Sequence, residues 1–151
     1  MRWLSERELR TWQGFLTAAT VLTRLVEQQL KEEAGLSHPQ YEVLVRLSAA
    51  PDGELRMTEL AEVAVTSKSG LTYQVGQLEK AGLVRRKSCP SDVRGVVAAL
   101  TDEGWRKLRE VAPGHAELVR RHFVDGLSER QFAALSDGVD ALAARLAPQE
   151  P

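Results

Sequence analysis

Apolar residues recur along this chain at three- and four-residue steps, broken at intervals by Gly, Pro and polar clusters. Most of it therefore reads as amphipathic helix. Ser5-x-x-Glu8 offers a capping box, in which hydroxyl and carboxylate satisfy the free amides of a helix start. Behind it Trp12, Phe15, Leu16, Ala19, Leu22, Leu25, Val26 and Leu30 form one long stripe that stops near Gly35. Ser37-His38-Pro39 begins a second helix, with proline tolerated in the first turn, and Tyr41, Leu44, Val45 and Leu47 supply its apolar face. Ala50-Pro51-Asp52-Gly53 ends it in a turn. The short apolar pair Leu55 and Met57 follows. Thr58 then caps a helix carrying Leu60, Ala61 and Val63, and Thr66-Ser67 opens another through Leu71, Val75 and Leu78 to Ala81-Gly82.

Two strand-like runs, Leu83 to Cys89 and Val96 to Leu100, flank the turn-rich Pro90-Ser91-Asp92-Val93-Arg94-Gly95 and predict a β-hairpin. Thr101 caps the next helix, with Asp102 and Glu103 favourable in its first turn. Its stripe runs through Trp105, Leu108, Val111, Ala112, Leu118, Val119 and Phe123, and Pro113-Gly114 predicts a kink or break within it. Ser128-x-x-Gln131 is a further capping box, ahead of Phe132, Leu135, Val139, Leu142 and Leu146, whose alternating steps make a helix-packing seam. The order is helix, helix, short strand, helix, helix, hairpin, helix, helix. The fold class is mainly α, with no internal repeat.

A chain of 151 residues suits one domain. At that size roughly 68–70% of the unfolded surface is buried on folding, so a core needs no disulfide or metal staple. With 43% hydrophobic and 27% charged residues, a wholly disordered chain is excluded. No apolar stretch is long enough to span a membrane, and Met1 to Glu8 has no apolar signal core. The single cysteine cannot form an internal disulfide, and the expectation is a cytoplasmic protein without membrane contact.

The formal net charge of −1 argues, taken whole, against nucleic acid as a partner. Its distribution argues the reverse. From Arg56 to Val96 seven basic residues face four acidic ones, a net +3, while the remainder of the chain is −4. Arg85-Arg86-Lys87 lies within that basic segment, just after the helix that ends at Ala81-Gly82. Charge runs are usually plain solvated surface, but this one sits at the base of a hairpin, where it could neutralise phosphates.

Two short helices joined by a tight turn and followed by a hairpin have winged helix-turn-helix order. At 100° per residue, Leu71, Val75 and Leu78 fall within an arc of about 60° and define the core face of the second of those helices. Ser69, Tyr73, Gly76, Gln77 and Lys80 lie roughly 140° to 240° from Leu71, with Lys68 and Thr72 flanking them. A polar face with small residues suits a major groove, where hydroxyls and amides read base edges and helix N-terminal amides meet phosphates. Ser67, Lys68 and Ser69 lie in the first turn, where a recognition helix commonly makes its contacts. A solvated helix face carries the same pattern.

The run Asp92-Val93-Arg94-Gly95-Val96-Val97-Ala98-Ala99-Leu100-Thr101-Asp102-Glu103-Gly104 resembles the wing and following helix start of MarR-family (multiple antibiotic resistance regulator) transcription factors. Leu78-Glu79-Lys80-Ala81-Gly82-Leu83-Val84-Arg85-Arg86 is similar to the end of that family's recognition helix. The resemblance implies a ligand-responsive repressor that acts as a homodimer on a pseudo-palindromic operator in double-stranded DNA. It implies dimerisation helices at 1–36 and 101–147 and a winged helix-turn-helix DNA-binding lobe at 37–100. Arg94 would enter the minor groove from the wing tip with Asp92 bracing it, since narrow A·T-rich grooves attract arginine. The implied DNA contacts are Ser67, Lys68, Ser69, Gly70, Thr72, Tyr73, Gln77, Arg86, Asp92 and Arg94. Many family members carry a second arginine where this chain has Val93, which implies a weaker wing contact.

The resemblance also implies a small aromatic or phenolic effector between the dimer helices and the lobe. Trp12, Phe15, Tyr41 and Trp105 would line that site, with His38 and Arg46 as polar anchors, although at helical spacing these aromatics also read as core. The seam from Phe132 to Leu146 could by itself equally be monomer core, and the family points it towards a partner chain. A winged-helix protein-interaction module without DNA binding is the alternative reading.

Nothing in the residues points to an enzyme, a metal site or a cofactor. HExxH, Cys-x-x-Cys, phosphate-binding glycine loops and the nucleophile elbow are all absent from the sequence. His115 and His122 share an azimuth but lie about 10.5 Å apart along a helix, too far to chelate one ion. Some MarR-type proteins sense oxidants through cysteine, and basic neighbours could activate Cys89. Without a second cysteine in the chain it reads as an ordinary strand residue.

Overall fold

The computed structural model describes residues 1–63, 67–89 and 91–146, apart from the side chains of residues 89 and 92–94. Helix α1 (Glu6–Ala34) starts at the expected capping box. The Glu8 amide donates to Ser5 Oγ at 3.3 Å, and the Ser5 amide donates to the Glu8 carboxylate at 2.7 Å. It ends at Gly35, whose φ of 66° turns the amides of Gly35 and Leu36 back onto the carbonyls of Lys31 and Leu30. Ser37 and Gln40 cap α2 (His38–Ala49) in the same reciprocal way.

A tight 3-10 turn, Pro51–Gly53, leads into β1 (Glu54–Arg56), followed by α3 (Met57–Val63), α4 (Lys68–Lys80), β2 (Val84–Cys89) and β3 (Asp92–Leu100). The three strands form an antiparallel sheet in the order β1-β3-β2, so the expected hairpin gains a third strand on its outer edge. Leu55 lies in β1 opposite Ala98, whereas Met57 opens α3 one residue before the Thr58 expected to cap it. The Glu59 carboxylate instead accepts the Arg56 amide at 3.0 Å. Strand β3 reaches back to Asp92, paired with Cys89 across a register shift after Ser88, so the turn is shorter than the six-residue tip expected. Thr66 and Pro90, expected in a helix start and in that turn, lie outside the described residues.

The core of this lobe joins Leu44 and Leu47 of α2, Leu60 of α3, Leu71, Val75 and Leu78 of α4, and Val84, Ala98 and Leu100 of the sheet. Each fully buried leucine contributes about 1.5–3 kcal/mol relative to exposure. Because β3 is central, all four residues from Val97 to Leu100 are buried. Ala98 and Leu100 join the core on the helix side, while Val97 and Ala99 take the other face.

Helix α5 (Asp102–Val119) begins under Thr101, whose hydroxyl donates to the Gly82 carbonyl at 2.6 Å and accepts the Gly104 amide at 3.0 Å. A Cβ on Gly104 would collide with the Leu83 carbonyl oxygen, so only glycine lets the start of α5 pass the start of β2. Of the kink or break expected at Pro113-Gly114, no break occurs: α5 runs through both to Val119. An interior proline costs about 3 kcal/mol. Val111 is buried, and Gly114 brings α5 so close to the Glu33 side chain of α1 that a Cβ would strike its carboxylate. Regular helix is lost later, in a π turn at Arg120–Val124.

Residues Met1–His115 form one compact unit, and a second begins at Ala116. Within the second, Ser128 and Gln131 cap α6 (Glu129–Leu146), and Phe123 meets Phe132 edge-on at 6.2 Å. No residue of α6 is buried. Among the described residues, no helix is long and apolar enough to cross a membrane.

Replacing Gly104 with alanine should destabilise the protein by about 1–3 kcal/mol, the usual range for overpacking. Gly76→Ala, where the added methyl meets open space, should stabilise it by up to about 1 kcal/mol through helix propensity. Urea unfolding followed by circular dichroism distinguishes the two.

Candidate nucleic-acid interface

Helix α4 is built as its period requires. Leu71, Val75 and Leu78 are each at most 1% exposed, while Lys68, Ser69, Thr72 and Lys80 face solvent. Tyr73, at 62% exposure, projects its ring into water, and Gly76 and Gln77 are partly covered at the margin of the face. Ser67 caps the helix, accepting the Gly70 amide at 3.1 Å, and its hydroxyl lies 3.3 Å from that of Ser69. The Thr72 hydroxyl donates to the Lys68 carbonyl at 3.0 Å, which leaves its oxygen lone pairs open. Two hydroxyls and an ammonium thus gather at the helix start, where unpaired amides carry partial positive charge.

The wing, β2 and β3, is braced at three heights. At its base Arg86 donates to the Glu79 carboxylate of α4 through Nε at 3.1 Å, Nη2 at 3.3 Å and its backbone amide at 2.9 Å. These bonds, the side-chain ones first, hold the Glu79 carboxyl below the usual carboxylate range. Halfway up, Lys87 Nζ lies 2.6 Å from the Glu54 carboxylate of β1. Near the turn, Arg56 Nη2 donates to Ser91 Oγ at 2.8 Å. Lys68, Lys80 and Arg85 are exposed and have no acidic partner among the described residues. The side chains of Asp92, Arg94 and Cys89 lie outside the described residues, so the structure carries the backbone of the wing tip but not its expected ion pair.

A sequence model of the MarR family matches residues 36–96, from the start of the winged lobe into β3. Sco3205 of Streptomyces coelicolor, a MarR family transcriptional regulator solved in complex with DNA, is 43% identical, and the match covers 99% of this chain and 93% of that one at a TM-score of 0.94. AbsC, a MarR family transcriptional regulator from the same organism, is 39% identical over 99% of this chain and 100% of its own, with a TM-score of 0.92. The chain belongs to the MarR family. Its element order, wing and recognition helix are therefore those of a MarR-type transcriptional regulator. The HTH-type transcriptional repressor YetL of Bacillus subtilis is 35% identical over 81 residues, or 54% of this chain, which spans about half (48%) of that relative's length.

The structure places the residues that the family suggested for an effector site in several different settings. Trp12 and Phe15 stack at 6.2 Å on α1 and are about half exposed, at 53% and 51%. Trp105 lies over Gly53, where a Cβ would come within 2.7 Å of its ring. His38 and Arg46 both approach the Glu42 carboxylate at 3.7 Å. Tyr41 is buried with its ring 4.7 Å from that of His115. An open groove of roughly 1,320 Å³ instead follows one face of α1 past the start of α2 to Gln74 of α4, and of the six it takes in His38 alone. Arg24, Glu27 and Lys31 are among its lining residues, but most of the surface it exposes is apolar. Among the described residues no cluster of three metal-ligating side chains forms.

Burial holds the His115 imidazole below its usual value of 6.5, nearby His38 pushes the same way, and Glu42 opposes them. Its Nδ1 is buried without a hydrogen-bond partner among the described residues. The unfolded chain then takes up a proton that the folded chain resists, so the stability that depends on neutral His115 is complete above pH 6.5 and declines below it. Urea midpoints measured across pH 5 to 8 should fall on the acid side, and His115→Gln should flatten that slope. An unchanged slope would assign the effect elsewhere.

Proposed function

We propose that this protein is a cytoplasmic, homodimeric transcriptional repressor that binds a pseudo-palindromic site in double-stranded DNA. The observation that carries this reading is the two-sidedness of α4. Burying Leu71, Val75 and Leu78 obliges Ser69, Thr72 and Tyr73 to project outwards, beside a helix start rich in hydroxyls. In this reading α4 enters the major groove, with Ser67, Lys68, Ser69, Gly70 and Thr72 on the phosphates and first bases and Tyr73 and Gln77 further in. Arg94, with Asp92 beside it, reaches the adjacent minor groove from the wing.

Exposed apolar surface supports a second copy. Trp3, Leu4, Leu9, Trp12, Phe15 and Leu16 of the N-terminal segment are each more than 40% exposed, as are Val139, Leu142 and Leu146 of α6. So much apolar surface on two elements is the mark of an interface. We assign residues 1–36 and 101–147 to it, flanking the winged lobe at 37–100. A small aromatic or phenolic effector would then meet Trp12 and Phe15 only where the second copy covers them. No catalytic, metal or cofactor role enters this reading.

Anisotropy titration against the intergenic duplex upstream of the protein's own gene, at two salt concentrations, tests it directly. Arg94→Ala should weaken binding by about tenfold while the dimer stays folded. Lys68→Ala should reduce the slope of log affinity against log salt by about 0.9, the release expected for one phosphate. Affinity that ignores salt and duplex sequence would favour the protein-interaction module instead.

A further inference from the structure

The pleat of β2 divides the run Arg85-Arg86-Lys87. Arg86 lies opposite Ala98, which in turn lies opposite Leu55 of β1, and Ala98 is completely buried, so this is the face turned to the helices. Arg85 and Lys87 take the other face, where Lys87 reaches across β3 to Glu54. Arg86 runs past the edge of the core and delivers three donors to one carboxylate on the last turn of α4. Only Ala81, Gly82 and Leu83 separate the end of that helix from β2, with Gly82 in the left-handed region at φ 75°. The amides of Ala81, Gly82 and Leu83 tie this turn to the carbonyls of Gln77, Glu79 and Leu78, and the Glu79–Arg86 fork adds a point of attachment further along the strand, on the side of the wing.

We infer that Glu79 is a positioning residue, which through Arg86 fixes where the wing leaves the recognition helix, and that Arg86 is a brace and not a phosphate contact. The inference rests on the DNA-binding reading above and assigns Arg86 a different part from the one its charge suggests. The two parts predict opposite signs. A carboxylate near DNA repels phosphates, so as a bystander Glu79 would weaken binding and its removal would strengthen it. As a brace, its removal weakens binding, because a misplaced wing and a well-placed helix cannot both reach their grooves.

The test compares wild-type protein with Glu79→Gln, Arg86→Ala, Arg86→Lys and the Glu79→Gln/Arg86→Ala double variant. Each is titrated against the intergenic duplex upstream of its own gene and a scrambled duplex of equal length, at three salt concentrations. Glu79→Gln and Arg86→Ala should each lower affinity for the intergenic duplex roughly two- to fivefold, the range for an exposed ion pair. The double variant should be no worse than either single one, and the salt slope should not change. Arg86→Lys keeps the charge but not the planar fork, so it should fall with the others. Thermal melting monitors folding, and the Lys variant decides the matter if Glu79→Gln does not fold.

Unchanged or tighter binding by Glu79→Gln would overturn the inference. So would a salt slope lowered by about 0.9 in Arg86→Ala and restored in Arg86→Lys. Wild-type protein that binds neither duplex would overturn the DNA-binding reading itself, an outcome separate from the other two.

Discussion

The burial of one side of α4 governs the rest of the molecule. Leu71, Val75 and Leu78 close the core formed by Leu44, Leu47 and Leu60 with the sheet, and none of the three is more than 1% exposed. A helix held along one stripe can neither rotate nor slide without opening a cavity, and such openings cost several kcal/mol per leucine. Ser69, Thr72 and Tyr73 inherit their outward direction from that fixation. The polar face is thus held in place by the buried one and not by bonds to other elements, and Ser69 and Thr72 bond only within their own helix end.

The wing relies on a different kind of restraint. Its root in β3, from Val97 to Leu100, is gripped between two neighbouring strands and the helices, whereas Val96 is already 42% exposed. Polar contacts add to burial along the root, Arg86 with Glu79 level with Ala98 and Lys87 with Glu54 level with Val97, and Arg56 with Ser91 carries them towards the turn. Each is exposed enough to be worth little alone. Spread along the hairpin, they resist bending in a way that no single one could. Several basic residues of the segment from Arg56 to Val96 that look free in the sequence are occupied in the fold, which leaves Lys68, Lys80 and Arg85 as that segment's exposed cations without an acidic partner among the described residues.

Features written within a turn or two of the chain were legible from it. The Ser5–Glu8 box, the Gly35 stop and the buried trio of α4 follow from periods of three and four residues, and the structure holds each as expected. Pro113 marked a kink or break, and no break occurs there; beside it Gly114 comes close to Glu33, a contact between residues 81 positions apart that no local period reveals. The braces of the wing were hidden for the same reason. Glu79 and Arg86 are seven residues apart across a helix end and a turn, and Arg56 and Ser91 are thirty-five apart. The strand alternation that separates Arg86 from Arg85 and Lys87 was the one available clue.

Helix α6 buries none of its eighteen residues within the chain, although it carries Phe132, Leu135, Val139, Leu142 and Leu146 on one side. An isolated helix of that length is marginal in water, so this segment draws little stability from its own backbone. In the proposed dimer, its order would come from mass action, and the folded fraction would depend on how many copies share the same volume. A repressor built this way would couple its structural integrity to its own abundance. At few copies per cell, the same sequence would be a less completely folded protein.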